Sequence, residues 1–250
     1  MKTKIAFFLI FLLIIAPFVF SQTTNWDKIL LDSDLRFMPE VSEFTITIEN
    51  YVSGAKAQWY ELKCYMNGGG KYLAIYTNPN LLLGQGTLRN GNTIYYYVKK
   101  VDRMTQIAAE RNFEQSTLSQ EDILNTMLST NYAITDGQAV KLDSGQQCYR
   151  LNLVSNNKNA AYAKITAYID AYTLLPVKRE YYSRVGLLCR EMVIKEIKTM
   201  SNGQISLVNF DFIDRLTAGK TSTVTFSGIV KKESFPSSWF TVNYLRSNVK

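Results

Sequence analysis

The side chains that most often do chemistry are missing from this chain or scattered along it. There is no histidine among its 250 residues. That removes the usual general base, the Ser-His-Asp and Cys-His nucleophile pairs, and most zinc-hydrolase designs. Two carboxylates can hydrolyse a glycoside without histidine. Asp102, Asp143, Asp170, Asp211 and Asp214, however, fall in turns or on the polar phase of strand-like segments, where a solvated carboxylate is expected. The glycine runs Gly68-Gly69-Gly70 and Gly84-Gln85-Gly86 neither open a helix after a strand nor precede a Gly-Lys-Ser/Thr, so they are not phosphate loops. Cys64, Cys148 and Cys189 match no metal spacing. In an oxidising compartment they permit one disulfide in any of three pairings, or none. The residues therefore point to a protein that is not an enzyme and carries no metal or cofactor.

The conspicuous side chains are aromatic: 16 tyrosines, 13 phenylalanines and three tryptophans. Tyrosine platforms that stack on bases alternate aromatic and basic residues on one face. In the stretch Thr93-Ile94-Tyr95-Tyr96-Tyr97-Val98, large side chains occupy both phases, and Lys99 and Lys100 follow only at its end. Such a strand is covered on both faces. It suits the wall of an apolar cavity better than a nucleic-acid surface, although the alternation alone leaves open whether Tyr95 with Tyr97 or Ile94 with Tyr96 faces that cavity. The net charge of +7 is spread along the chain and does not form the clustered basic face of a nucleic-acid binder.

The elements that must position these residues are mostly strands. The start of the chain is different. Lys2 and Lys4 precede an apolar run from Ile5 to Phe20, which is short for a spanning helix and reads as a secretory signal cleaved after Ser21. That leaves residues 22–250 as one domain with a charge of +5. "EFTITIEN" alternates strictly, and "KAQWYELKCYM", "KYLAIYT", "GQGTLR", "NTIYYYVKK", "CYRLNLV", "AKITAYID", "LPVKREYYS", "LLCREMVIKEI", "GQISLVNFDFID" and "TSTVTFSGIV" follow between Gly- and Asn-rich turns. Ten or eleven antiparallel strands are expected, in a barrel or sandwich. Helix is sparse. Asn25 to Met38 carries an apolar stripe of Trp26, Ile29, Leu30 and Leu35. A second short helix begins at Ser119, with Asp122 as its capping partner, and presents Ile123, Leu124, Met127 and Leu128. "SSWFTVNYLR" reads equally as a helical turn or a strand.

In this order the features resemble the outer-membrane lipoprotein-sorting proteins with the LolA-like fold. Pro79, "GQGTL" and "IYYYV" are similar to that family's proline, glycine stretch and "W-x-Y" strand, with Tyr95 where tryptophan is usual. "VDRMTQI" and "SQEDIL" resemble its basic segment and helix start. "YIDAYTLLPVKREYYSRVG" and "FPSSWFTVNYL" resemble its later hairpin and its close. The resemblance implies an incomplete antiparallel β-barrel with a helical lid around an apolar cavity. It implies a periplasmic carrier of lipid or lipoprotein acyl chains that contacts membranes transiently and meets an inner-membrane transporter or envelope protein. Trp59, Leu88, Tyr95 and Tyr97 are then expected in the cavity wall, and Ile123, Leu124 and Met127 in the lid. The alternative in the same fold is a periplasmic sensor or scaffold for a membrane-protein partner. A small outer-membrane barrel is disfavoured, because its strands alternate apolar-out and polar-in and would leave the lid helix without a role.

Overall fold

The computed structural model describes residues 24–124 and 127–249; the expected signal segment lies outside them. α1 (Trp26–Phe37) leads into a meander of six strands: β1 (Val41–Val52), β2 (Ala55–Asn67), β3 (Lys71–Asn78), β4 (Gln85–Asn90), β5 (Thr93–Val98) and β6 (Arg103–Ile107). A connection holding α2 (Gln120–Leu124) and α3 (Leu128–Asn131) precedes a second meander: β7 (Tyr132–Lys141), β8 (Gln147–Ser155), β9 (Lys164–Asp170), β10 (Pro176–Tyr182), β11 (Leu188–Thr199), β12 (Ile205–Asp214) and β13 (Lys220–Lys231). A 3₁₀ turn at Ser237–Phe240 and α4 (Val242–Asn248) follow.

All strands join one antiparallel sheet in the order β6-β5-β4-β3-β2-β1-β13-β12-β11-β10-β9-β8-β7. Laid flat, thirteen strands at about 4.8 Å spacing would separate the edges by more than 50 Å. Instead, Ile94 of β5 and Leu151 of β8 share one buried cluster. Ile107 of β6 and Asn131 beside β7 line one hollow. The sheet therefore curls into an open half-barrel whose edges approach without pairing. The two strands beyond the expected eleven are those edges, β6 and β7. Neither buries a regular alternating phase, so neither carries the period-2 signal.

Alternation sets the two faces. In β1 the buried residues are Ser42, Phe44, Ile46, Ile48 and Asn50, and the apolar ones enter the large inner cluster with Leu62, Phe212 and Phe226. The outer face holds a smaller cluster of Leu73, Leu88, Tyr97, Phe235, Phe240, Leu245 and Val249. Burying a whole aliphatic side chain such as Leu245 contributes about 1.5–3 kcal/mol, enough to pin the seven-residue α4. The ambiguous C-terminal segment is thus a 3₁₀ turn and a helix, with Thr241 accepting from the Tyr244 N–H at its start.

α1 begins where expected, with the Asn25 side chain accepting from the Lys28 N–H at 2.9 Å. Its buried stripe is Leu30, Ser33, Asp34 and Phe37, and Leu35 is exposed. Trp26 lies on β7 at Gly137, where an added Cβ would stand 2.6–2.8 Å from the indole ring. Gly137→Ala must displace that ring and is expected to lower stability by about 1–3 kcal/mol in urea unfolding. An unchanged midpoint would show that the α1 contact with the edge strand yields freely.

Candidate apolar-ligand site

Chain leaving β6 at one sheet edge reaches β7 at the other by crossing the interior. On the way it plants Phe113, Leu118, Ile123, Leu124 and Leu128 in the inner cluster. Phe113 stacks on Tyr76 and meets Tyr60 edge-on. A buried backbone must find partners for its polar groups. The Thr117 N–H donates to Ser222 Oγ at 2.9 Å, its hydroxyl donates to the Phe212 carbonyl at 2.9 Å, and Ser222 Oγ donates to Asn50 Oδ1 at 2.6 Å. The Gln120 and Glu121 N–H groups donate to the carbonyls of Arg111 and Ala109.

The start of α2 is the capping arrangement the sequence suggests. The Ser119 N–H and hydroxyl both donate to Asp122 Oδ2, at 2.6 and 2.8 Å, and the Asp122 N–H donates back to Ser119 Oγ. The same carboxylate accepts from the Tyr162 hydroxyl at 2.7 Å and lies 3.5 Å from Arg190 Nη1. Arg190 also donates to Tyr162 Oη and to Asn112 Oδ1. Glu121 accepts from the Ala161 N–H at 2.6 Å. Arg89 in β4, buried, donates to the Gly91 carbonyl at 2.8 Å and to the Leu124 carbonyl at 3.2 Å. Helices of five and four residues are too short to stand alone. These buried polar contacts, together with Ile123 and Leu124, hold the lid down.

Most of the interior is filled by the protein's own side chains. The free space among Phe37, Tyr181, Phe210 and Phe212 is about 30 Å³, room for one or two waters. The usable volume lies at the interior's end. There a cleft of about 720 Å³ opens between α1 (Leu30, Leu31, Leu35), the sheet (Met66, Tyr72, Arg89) and the lid (Leu124, Met127). Its size is within the range of about 300–1,000 Å³ typical of small-ligand sites. The glycine turns Gly68-Gly69-Gly70 and Gly91 form its rim. Its wall is mixed: the aliphatic side chains from α1, Met66, Leu124 and Met127 face Asp27, Glu40, Lys71 and Asn92 at the margin, and the Arg89 guanidinium is buried in it. A more polar hollow of about 400 Å³ follows the seam between the edges, lined by Arg89, Ile94, Gln106, Glu110, Asn131 and Asn157.

The expected site residues divide. Ile123 and Leu124 are buried under the lid, and Leu124 and Met127 line the cleft. Leu88, Tyr95 and Tyr97 stand on the outer face, under the C-terminal segment. Trp59 is on that face too, 40 % exposed. Both phases of β5 are covered, one by the lid and the other by α4, so alternation could not choose between them. Ile94 and Tyr96 form the inward phase. The cleft residues of α1, Met66 and Tyr72 lie on segments whose periodicity is legible. Arg89 is signalled only by the inward phase of its strand.

A charged group joins α1 to the lid. Asp34 is fully buried. Its Oδ2 accepts from the Ser129 N–H at 2.7 Å, and Oδ1 lies 3.8 Å from Arg179 Nη2 without accepting a hydrogen bond. Arg179 reaches it across the Phe37 ring, 5.4 Å from the centroid. Burial raises the Asp34 pKa from 3.8, opposed by the charge of Arg179 and the Ser129 contact. Below that value the group is protonated whether the chain is folded or not. As pH rises above it, the unfolded carboxyl ionises freely while the buried one resists, so Asp34 takes stability away with increasing pH. Asn in its place does not titrate. The stability of Asp34→Asn relative to the parent should therefore be lowest near pH 4 and improve towards pH 7, by urea unfolding at roughly those pH values. A relative stability that is flat or declines over that interval would exclude this origin.

An open antiparallel half-barrel with a short helical lid and an apolar cleft is the LolA-like architecture, and solved structures of that class superpose on it. A LolA superfamily protein from Nitrosomonas europaea matches with a TM-score of 0.79 at 18% identity, over 89% of this chain and 100% of its own. A domain described as outer membrane lipoprotein-sorting, from Vibrio parahaemolyticus, matches at 0.73 and 19% identity, over 88% and 97%. A DUF1329 family protein from Desulfovibrio piger matches at 0.73 and 16% identity, over 88% and 97%. By sequence, a family model described as an uncharacterized protein matches residues 68–247, and the chain belongs to that family. A search of curated proteins returns no match.

Proposed function

We propose that this chain is an exported carrier that holds an acyl chain, of a lipid or of a lipoprotein, in the cleft between α1, the glycine turns and the lid. In this reading residues 1–21 are a cleaved signal, residues 22–250 form one ligand-binding domain, and the protein works in the periplasm without catalysing a reaction. The observation that carries it is the cleft itself: about 720 Å³, with an aliphatic stripe of Leu30, Leu31, Leu35, Met66, Leu124 and Met127 and a buried guanidinium at Arg89. Each methylene taken from water contributes about 0.8 kcal/mol, so one acyl chain binds usefully without a reactive group. Among the described residues no helix is long and apolar enough to cross a membrane. The LolA-like architecture supports the class of cargo.

Native mass spectrometry of the gently purified protein, followed by solvent extraction, should recover lipid in stoichiometric amount. Leu31, 42 % exposed on the cleft side of α1, offers a substitution that spares the core. Leu31→Glu should reduce retained lipid by at least about tenfold through desolvation of the carboxylate, with little change in the unfolding midpoint. A parent protein free of lipid that recovers one membrane protein instead would replace the carrier reading with that of a sensor or scaffold.

A further inference from the structure

The connections at the two ends of the sheet are built from different residues. At the cleft end, β2–β3 turns on Gly68-Gly69-Gly70 and β4–β5 on Gly91-Asn92. These are the small and polar residues that turns favour. The exposed large apolar residues in connections at that end are Tyr172 and Met200.

At the other end, five successive connections from β10 round to β6 each carry large aliphatic side chains into solvent. Val185 and Leu187 lie between β10 and β11, and Leu216 between β12 and β13. Val52 ends β1, Leu81 and Leu83 lie between β3 and β4, and Val101 between β5 and β6. Leu81 is 85 % exposed and Val185 81 %. The registers put these tips at one end: Val52 pairs with both Ala55 and Lys220, Leu188 with Tyr182, Arg190 with Asp214, and Gln85 with Val98. Turn geometry does not require them, because Gly54, Gly84, Gly186 and Gly219 supply positive φ in four of the same connections.

Cations sit among the tips. Lys99, Lys100, Arg103, Arg184 and Lys220 belong to or flank these connections, and Lys158 lies in the neighbouring β8–β9 connection. None of the six forms an ion pair among the described residues. The acids in the same connections are Asp102, paired with Arg246 at 3.1 Å, and Asp214, which caps its own turn by accepting from the Leu216 and Thr217 N–H groups.

We propose that this rim docks the protein onto an anionic lipid surface, with the aliphatic tips entering the acyl boundary and the cations meeting headgroup phosphates. Separate tips suit a fluid surface that closes around each one. A folded protein partner would be better matched by a contiguous apolar patch. Unpaired positive charge gives the complementarity with anionic headgroups. The cleft mouth lies at the opposite end and stays open to the aqueous side while the rim is seated. This inference goes beyond the carrier reading and does not depend on what the cleft holds.

The test is flotation of the full chain with vesicles of phosphatidylcholine alone and of an equimolar mixture with phosphatidylglycerol. Binding is expected to the mixed vesicles and to fall at high salt. The K99E/K100E double variant should weaken it by at least about tenfold, and combined Leu81→Ser, Val185→Ser and Leu216→Ser should abolish the rim contribution. Tryptophan placed at the tips reads insertion locally, whatever else of the chain meets the membrane. Emission from Leu81→Trp and Val185→Trp should shift to the blue on mixed vesicles and be quenched by brominated lipid, while that from Tyr172→Trp at the opposite end should not. Unchanged emission from both rim tryptophans, or equal quenching at Tyr172→Trp, would overturn the proposal.

Discussion

The structure depends on one constraint: the chain must pass from one edge of an open sheet to the other through the space the sheet encloses. A backbone buried there cannot use water, so its donors and acceptors need partners inside. Thr117, Ser222 and Asn50 exist in that form to satisfy this need, and so do Ser119, Asp122, Tyr162 and Arg190. The same crossing brings Phe113 and Ile123 into the core and leaves Leu124 and Met127 at the cleft wall. Lid and filling are one segment. Any movement that enlarges the interior must break these charged and hydrogen-bonded contacts together.

The strands with two different faces were legible in the sequence because alternation over β1, β12 and β13 is physical: one phase meets the core and the other does not. The edges were not. β6 and β7 pair on one side only and bury no regular phase, so nothing in their composition separates them from loops. Orientation was also hidden wherever both faces are covered. β5 carries tyrosines on each side because α4 packs on one and the crossing segment on the other, and only tertiary structure shows that Ile94 and Tyr96 point inward. The α1 stripe was read correctly at Leu30, but Leu35 stands exposed at the cleft and not in the buried stripe. Asp34 at the helix–lid junction lies buried near Arg179, nearly 150 residues away in the chain, a contact that no local pattern announces.

The cleft and the hairpin rim place two kinds of apolar surface at opposite ends of the same strands. One is concave, gathered between α1 and the lid, and holds the buried cation Arg89. The other is a set of projecting tips surrounded by unpaired cations. The antiparallel sheet makes this separation automatic, since alternate connections must fall at opposite ends. Both sets of turns use glycine, and the addition of exposed leucine and valine at one end is independent of that topology.

The strand order also bears on how the molecule is made. Neighbours within β1–β6 and within β7–β13 are consecutive in the chain, so each half can zip up through local hairpins. The two halves meet where β1 pairs with β13, Val52 opposite Lys220 and Ser42 opposite Lys231. That junction has a high loop-closure cost and cannot form until almost the whole chain has been delivered. Until then β1 presents an unpaired edge rich in Ile and Thr, the kind of edge that recruits other strands. A chain that emerges from its N-terminal end therefore carries the free edge of β1 exposed until β13 arrives to cover it.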